Sequence, residues 1–347
     1  MGFVVPAEIG HAPYAQPVLR YLVANFDWVQ VVAVRKKLFP ELSEDCWLLY
    51  CEGFGGRAGR IAFSTMEAFE FLKAPPRPDL LIPIQEWLDW GSRLRPYFLP
   101  AETRALYRGI GRLPECCRLA DVARVGIGYV TGDNDFFHFT PSEATLSGIP
   151  ERFFHAAVRN GKYLVGRAIT NATVAAWKRR NEPILLLRVR RTDVVPAAVQ
   201  EYLESAGGKE AREAYKCRNR QPWYVVPDVS VPDAFLSYMS GSTPALVANR
   251  AGCVAANSVH VVKLNGKLPL AGLQERWDQP LTQLSCELEG HPLGGGMLKI
   301  EPREAGRVLL NPRGSCMRRQ KSQILDGLDI LRSWRHYGQS IATVPVD

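Results

Sequence analysis

The sequence predicts an α/β protein of about two domains: a short strand, helix, strand, strand segment, then a larger mixed, mostly β domain. Three observations predict it. The 347 residues suffice for two domains of about 100–200 residues each. Apolar residues make up 46% and charged residues 22%, which excludes the disordered, collagen-like and coiled-coil classes. Compact apolar runs near the N-terminus, and short β-rich runs beyond Leu119, supply the strands.

In chain order, Phe3-Val4-Val5 is a strand closed by Pro6, and Val18, Leu19, Leu22 and Val23 carry helical spacing. Trp28–Val34 and Cys46–Cys51 read as buried strands. A doubly wound domain normally needs five or six strands, so this segment alone is a fragment of one. A helix is expected near Ser64–Leu72, then a linker at Pro75-Pro76-Arg77-Pro78. Trp87, Leu88, Trp90, Leu94, Leu106 and Tyr107 give a further helical face. Later strands are expected at Val122–Val130, Ile184–Val189, Trp223–Val226, Ala245–Ala248, Val259–Leu264 and Met297–Ile300. The expected division is 1–75, a helical linker 76–115, a second domain 116–310 and a basic tail 311–347. That tail begins with Arg313, Arg318, Arg319 and Lys321 and continues with an amphipathic pattern from Ile324 to Leu331.

The formal net charge is +8. Residues 1–75 hold seven Lys and Arg against eight Asp and Glu, so the surplus lies beyond them. Such a surplus points to a polyanionic partner, of which nucleic acid is the obvious one. Apolar stretches such as Ile184–Leu187 are a few residues long, whereas a bilayer span needs about 20. No membrane segment is expected, and the N-terminus lacks a secretory pattern, so the reading is an intracellular, cytoplasmic protein. The eight cysteines form no Cys-x-x-Cys pair, which indicates neither a zinc site nor a disulfide framework. The six histidines are scattered and suggest no metal site. No Gly-x-Ser-x-Gly elbow supports a hydrolase.

Gly53-x-Gly55-x-x-Ala58 fits a loose dinucleotide fingerprint, which would seat a phosphate at a helix N-terminus. A Gly and Arg connector explains the same letters, and a nucleotide-binding protein using this loop is kept as an alternative. Gly126–Gly132 has different spacing and runs into Asp133-Asn134-Asp135. It is expected as a β-hairpin that can still touch a DNA backbone. Lys216-Cys217-Arg218-Asn219-Arg220-Gln221-Pro222-Trp223-Tyr224 interleaves cations with aromatics, downstream of Arg179-Arg180 and Arg188-Val189-Arg190-Arg191. Guanidinium groups suit phosphates and guanine edges, and rings suit unstacked bases. A solvated basic face with Trp223 in the core fits as well.

Phe3–Glu8, Val31–Pro40, Trp47–Tyr50, Ala123–Phe137, Cys217–Tyr224, Asn257–His260 and His291–Pro302, taken in this order and spacing, together resemble the C-terminal portion of the TaqI-like, gamma-class adenine-specific DNA methyltransferases. Phe3–Glu8, Val31–Pro40 and Trp47–Tyr50 are similar to the late strands of their catalytic domain. Ala123–Phe137 resembles the opening of their target-recognition domain, Cys217–Tyr224 and Asn257–His260 continue it, and His291–Pro302 resembles its close. The resemblance covers about residues 2–310. It implies a C-terminal fragment of a Rossmann-like methyltransferase sheet followed by a recognition domain that binds double-stranded DNA. It also implies that Phe39, in Leu38-Phe39-Pro40, stacks on the flipped adenine, returning part of the stacking energy lost on extrusion. An ordinary core aromatic near a turn is the other reading of Phe39. Arg218, Arg220, Trp223 and Tyr224 are the expected DNA contacts, with Arg188, Arg190 and Lys299 behind them. The family's S-adenosylmethionine loop and Asn-Pro-Pro-Tyr/Phe motif are not spelled in this chain; Asn311-Pro312-Arg313-Gly314 is the nearest approach to the second. The expectation is therefore target recognition without autonomous methyl transfer, and with no cofactor bound by this chain alone. The chain is then a truncated enzyme or a specificity subunit that pairs with a separate N-terminal methyltransferase half.

Overall fold

A computed structural model describes residues 1–42, 44–311 and 318–335. The fold mixes α and β structure in several sheets. The chain divides into two units: unit 1 is Met1–Cys116, Gln279–Lys299 and Gly314–Asp347, and unit 2 is Cys117–Asp278 and Ile300–Arg313.

Unit 1 opens with β1 (Gly2–Pro6), α1 (Gln16–Asn25), β2 (Phe26–Val34), β3 (Cys46–Phe54), β4 (Arg60–Met66) and β5 (Leu80–Pro83). These strands form one sheet in the order β1-β3-β2-β4-β5. β2 is central, antiparallel to β3 and parallel to β4. Every residue from Val29 to Val34 is buried, because the strand is covered on both faces, and so it reads as a continuous apolar run. Leu19, Leu22 and Val23 of α1 join Val29, Val31 and Ala33 in the main core; Val32, Val34 and Leu48 form a smaller cluster. Gln30, the polar residue of the run, donates from Nε2 to Ser64 Oγ at 2.9 Å and Pro76 O at 2.7 Å, so its burial leaves the amide nitrogen satisfied.

The expected helix over Ser64–Leu72 is not formed. Ile61 and Phe63 are fully buried in β4, which pairs with Gln30–Val34 of β2, and sheet burial overrides the local helical spacing. The Gly53–Ala58 loop joins β3 to β4, so no helix N-terminus follows it. Gly53 has φ of +68°, and the Asp27 side chain occupies the space a Cβ would need there and at Gly56. The loop is a turn folded around Asp27, which overturns the nucleotide-loop alternative.

Residues 76–115, read as a linker, contribute β5 and the helices Ile84–Asp89 and Ala101–Ile110 to unit 1. The unit is completed by α2 (Pro280–Glu289) and α3 (Arg318–Ser333). The Glu287 carboxylate, itself 1% exposed, accepts from Arg95 Nη2 at 2.8 Å and from Arg335 Nη2 at 2.8 Å, with Arg332 Nε at 3.6 Å. Arg93 bonds the Leu288 carbonyl and the Glu289 carboxylate, each at 2.9 Å. Burial lowers the Arg95 pKa to about 10, against the pull of Glu287. Of the basic tail, Arg313 lies outside the described residues, and the amphipathic stretch is α3.

Unit 2 contains a five-stranded sheet that ends with Ala234–Ser237, Val259–Leu264 and Ala123–Ile127, and a four-stranded sheet around Phe154–Val158 and Leu185–Leu187. The expectation of a mostly β domain is corrected by helices at Asn171–Arg179, Ala197–Glu204, Ala206–Glu213 and Leu270–Trp277. Two local expectations also fail. Trp223–Val226 forms no strand: Trp223 and Tyr224 lie in a turn, and Trp223 packs against Phe136 and Phe137. Gly126–Gly132 is no hairpin, because Ala123–Ile127 pairs with Val259–Leu264 from far along the chain and Tyr129 bridges to Ala256.

Candidate nucleic-acid interface

The surplus charge gathers in unit 2 along an open cleft of about 940 Å³. Its floor is β6 (Ala123–Ile127) and β7 (Val259–Leu264), which supply Arg124, Gly126, Val261 and Lys263. One wall is the Arg188-Val189-Arg190-Arg191 segment that leaves the strand Leu185–Leu187, and another is formed by Lys216, Arg220 and the loop 225–230. Seven Lys and Arg line the cleft against one carboxylate, Asp228. Low-dielectric walls with one sign of charge focus the field and attract a polyanion.

Local chemistry fixes these cations. Arg188 N donates to Phe153 O at 2.8 Å and its Nη2 to Val229 O at 3.0 Å, so this half-buried side chain also ties two walls together. Arg190 N donates to Asp193 Oδ2 at 2.8 Å, a turn that leaves the Arg190 and Arg191 side chains exposed. Arg220 donates from Nη2 to the Val130 carbonyl at 2.9 Å and to the Thr131 carbonyl. Part of its guanidinium thus holds the chain where β6 leaves the sheet, and burial lowers its pKa.

The other expected contacts lie elsewhere. Arg218 is exposed, 5.7 Å from the Tyr215 ring centroid, and does not line the cleft. Trp223 and Tyr224 are half-buried and line a separate hollow against Leu203, Gly208 and Arg212. Lys299 belongs to unit 1, opposite His291 in a strand pair. Phe39 lies between β2 and β3, is 40% exposed and packs in no described core cluster. Sequence reasoning missed Arg124 and Lys263, which only strand register brings together. Among the described residues, no His, Cys, Asp and Glu group is placed to hold a metal ion, and no helix is long and apolar enough to cross a membrane.

Beside the floor, Tyr129 and His138 form a buried pair. Tyr129 Oη lies 2.7 Å from His138 Nε2, and His138 Nδ1 lies 2.8 Å from Asn134 O. A carbonyl can only accept, so Nδ1 carries the proton and Nε2 accepts from the tyrosine. Burial pushes the His138 pKa down to about 4. The histidine folds neutral, so the stability it allows is present above its unfolded pKa of about 6.5 and is lost as pH falls from there toward 4. Urea unfolding of the parent should show an acid loss on the order of 3 kcal/mol across that window. His138→Gln should flatten the loss; an unchanged acid limb in that variant would assign it to other groups.

Residues 92–336 match the family model described as type II methyltransferase M.Eco57I, C-terminal domain. The chain belongs to that family, as the resemblance of its C-terminal stretches implied. It is 19% identical over 208 residues to the type II methyltransferase M.AccI of Acinetobacter calcoaceticus, an alignment covering 59% of this chain and 38% of that protein. The chain thus spans well under half the length of this relative. Among solved structures it is similar to the type IIL restriction-modification enzyme MmeI in complex with DNA, at TM-score 0.44 and 13% identity, over 96% of this chain and 46% of that one. It is also similar to the type IIG restriction endonuclease BpuSI, at TM-score 0.39 and 12% identity, over 94% and 42% of the respective chains.

Proposed function

We propose that this chain recognises double-stranded DNA as the target-recognition part of a site-specific, adenine-specific DNA methyltransferase of restriction-modification type. The observation that carries the reading is the cleft of unit 2, with seven cations against one carboxylate, in a chain of the M.Eco57I C-terminal family. Phosphate contacts set affinity and register there, and side chains at base edges set the sequence. The first sheet is the closing part of the Rossmann-like catalytic domain, and Phe39, reachable beyond β2, stacks on the extruded adenine. The intact enzyme uses S-adenosylmethionine, and this chain alone transfers no methyl group. The test is equilibrium binding to a mixed-sequence duplex between 50 and 200 mM salt. Each phosphate contact contributes a slope of about −0.9 in log K against log salt, so several contacts give a slope steeper than about −3. No binding, or binding indifferent to salt, would refute the reading.

One feature favours completion by a separate methyltransferase half. β1 is an edge strand of its sheet, and successive residues Phe3 and Val4, which point to opposite faces, are 51% and 53% exposed. An apolar strand open at its edge is a template for pairing with another chain. Size-exclusion of this chain with a segment carrying the cofactor loop should give a complex that Val4→Pro weakens; separate elution of the two would reject the arrangement.

A further inference from the structure

The floor of the cleft contains a strip that folding does not explain. Register places Arg124 of β6 opposite Lys263 of β7, and Gly126 opposite Val261, so all four share one face and all four line the cleft. Like charges directly opposite each other across a strand pair repel. Among the described residues Arg124 is in no ion pair, and Lys263 reaches only Asp233, at 3.8 Å with both side chains well exposed. Two strand positions on, the face is bare. A Cβ on Gly126 would meet only Val261 Cγ2, at the ordinary contact distance of 3.6 Å, and Gly126 is not among the glycines with positive φ. Gly128 differs: a Cβ there would come within 2.2 Å of the Ala255 carbonyl oxygen. Gly128 is therefore required by packing, whereas Gly126 forgoes the strand preference of a β-branched residue for no internal gain. A glycine inside a strand often marks the close approach of a ligand.

We propose that the sugar-phosphate backbone of duplex DNA seats against the strand at Gly126, with Arg124 and Lys263 flanking a phosphate beside it. The inference rests on the DNA-recognition reading and adds the place and the residues of contact. The experiment compares the parent chain with Gly126→Val, Gly126→Ala, Arg124→Gln and Lys263→Gln, by thermal unfolding and by binding to a mixed-sequence duplex across a salt series. Gly126→Val is expected to melt at or above the parent temperature while binding about tenfold or more weakly, with an unchanged salt slope. Each cation variant should shallow the slope by about 1. Parent-like affinity in folded Gly126→Val and Gly126→Ala proteins overturns the inference while leaving DNA recognition standing; should the valine variant fail to fold, Gly126→Ala decides. A parent chain that does not bind the duplex overturns both.

Discussion

Glu287→Ala is expected to destabilise unit 1 by about 3–5 kcal/mol, the cost of leaving buried charge without its partner. Arg95 and Arg335 are 2% and 0% exposed and both bond this carboxylate. Removal of the carboxylate leaves their guanidinium groups facing one another in a low-dielectric interior. Glu287→Gln keeps the shape but not the charge and should follow close behind. Replacing Arg95, Glu287 and Arg335 together by apolar residues of similar volume should recover most of the loss, because the desolvation cost goes with the charges. Urea unfolding of the three proteins decides; a single variant within about 1 kcal/mol of the parent would show that the network is not compensating buried charge.

The largest functional effect is expected from Arg190→Gln, Arg191→Gln and Lys216→Gln combined. All three side chains are exposed on the cleft, so neutralising them should leave stability within about 0.5 kcal/mol. If each contacts a phosphate, the salt slope falls by about 3 and affinity at 0.1 M salt falls roughly 500-fold, about eightfold per contact. Lys178→Gln with Arg179→Gln, on a helix that does not line the cleft, should change affinity less than about threefold. Equal losses from both sets would mean that binding follows net charge and not this surface.

How much of this was legible follows from how local each signal is. β2 and α1 could be read because burial on both faces, or on one stripe, writes an uninterrupted or a helical apolar pattern into adjacent residues. β4 could not, since the reason that Arg60–Met66 is a strand is its parallel neighbour β2. The helix Asn171–Arg179 carries its own start signal, a Thr170 side chain accepting from Thr173 N, which the β-rich surroundings outweighed. Three of the seven cleft cations, Arg188, Arg190 and Arg220, could be singled out because they fall in charge runs. Arg124 and Lys263 sit alone in their neighbourhoods, and alternation along β6 could only have suggested that Arg124 and Gly126 share a face. Trp223 shows the opposite limit: an aromatic beside arginines spells a stacking platform in sequence, and the fold uses it to cover Phe136.

Unit 1 is interrupted, because its first 116 residues are joined by Gln279–Lys299, which falls between the two segments of unit 2, and by Gly314–Asp347, which follows it. That sets an order of assembly. As the chain leaves the ribosome, most of unit 2 has emerged while Arg93 still lacks Leu288 and Glu289 and Arg95 still lacks Glu287. Their burial waits on contacts about two hundred residues distant, which close slowly and late. A chain stopped after Asp278 would therefore present a largely folded second unit beside a first unit that cannot mature, and proteolysis of nascent or shortened chains should begin in the first.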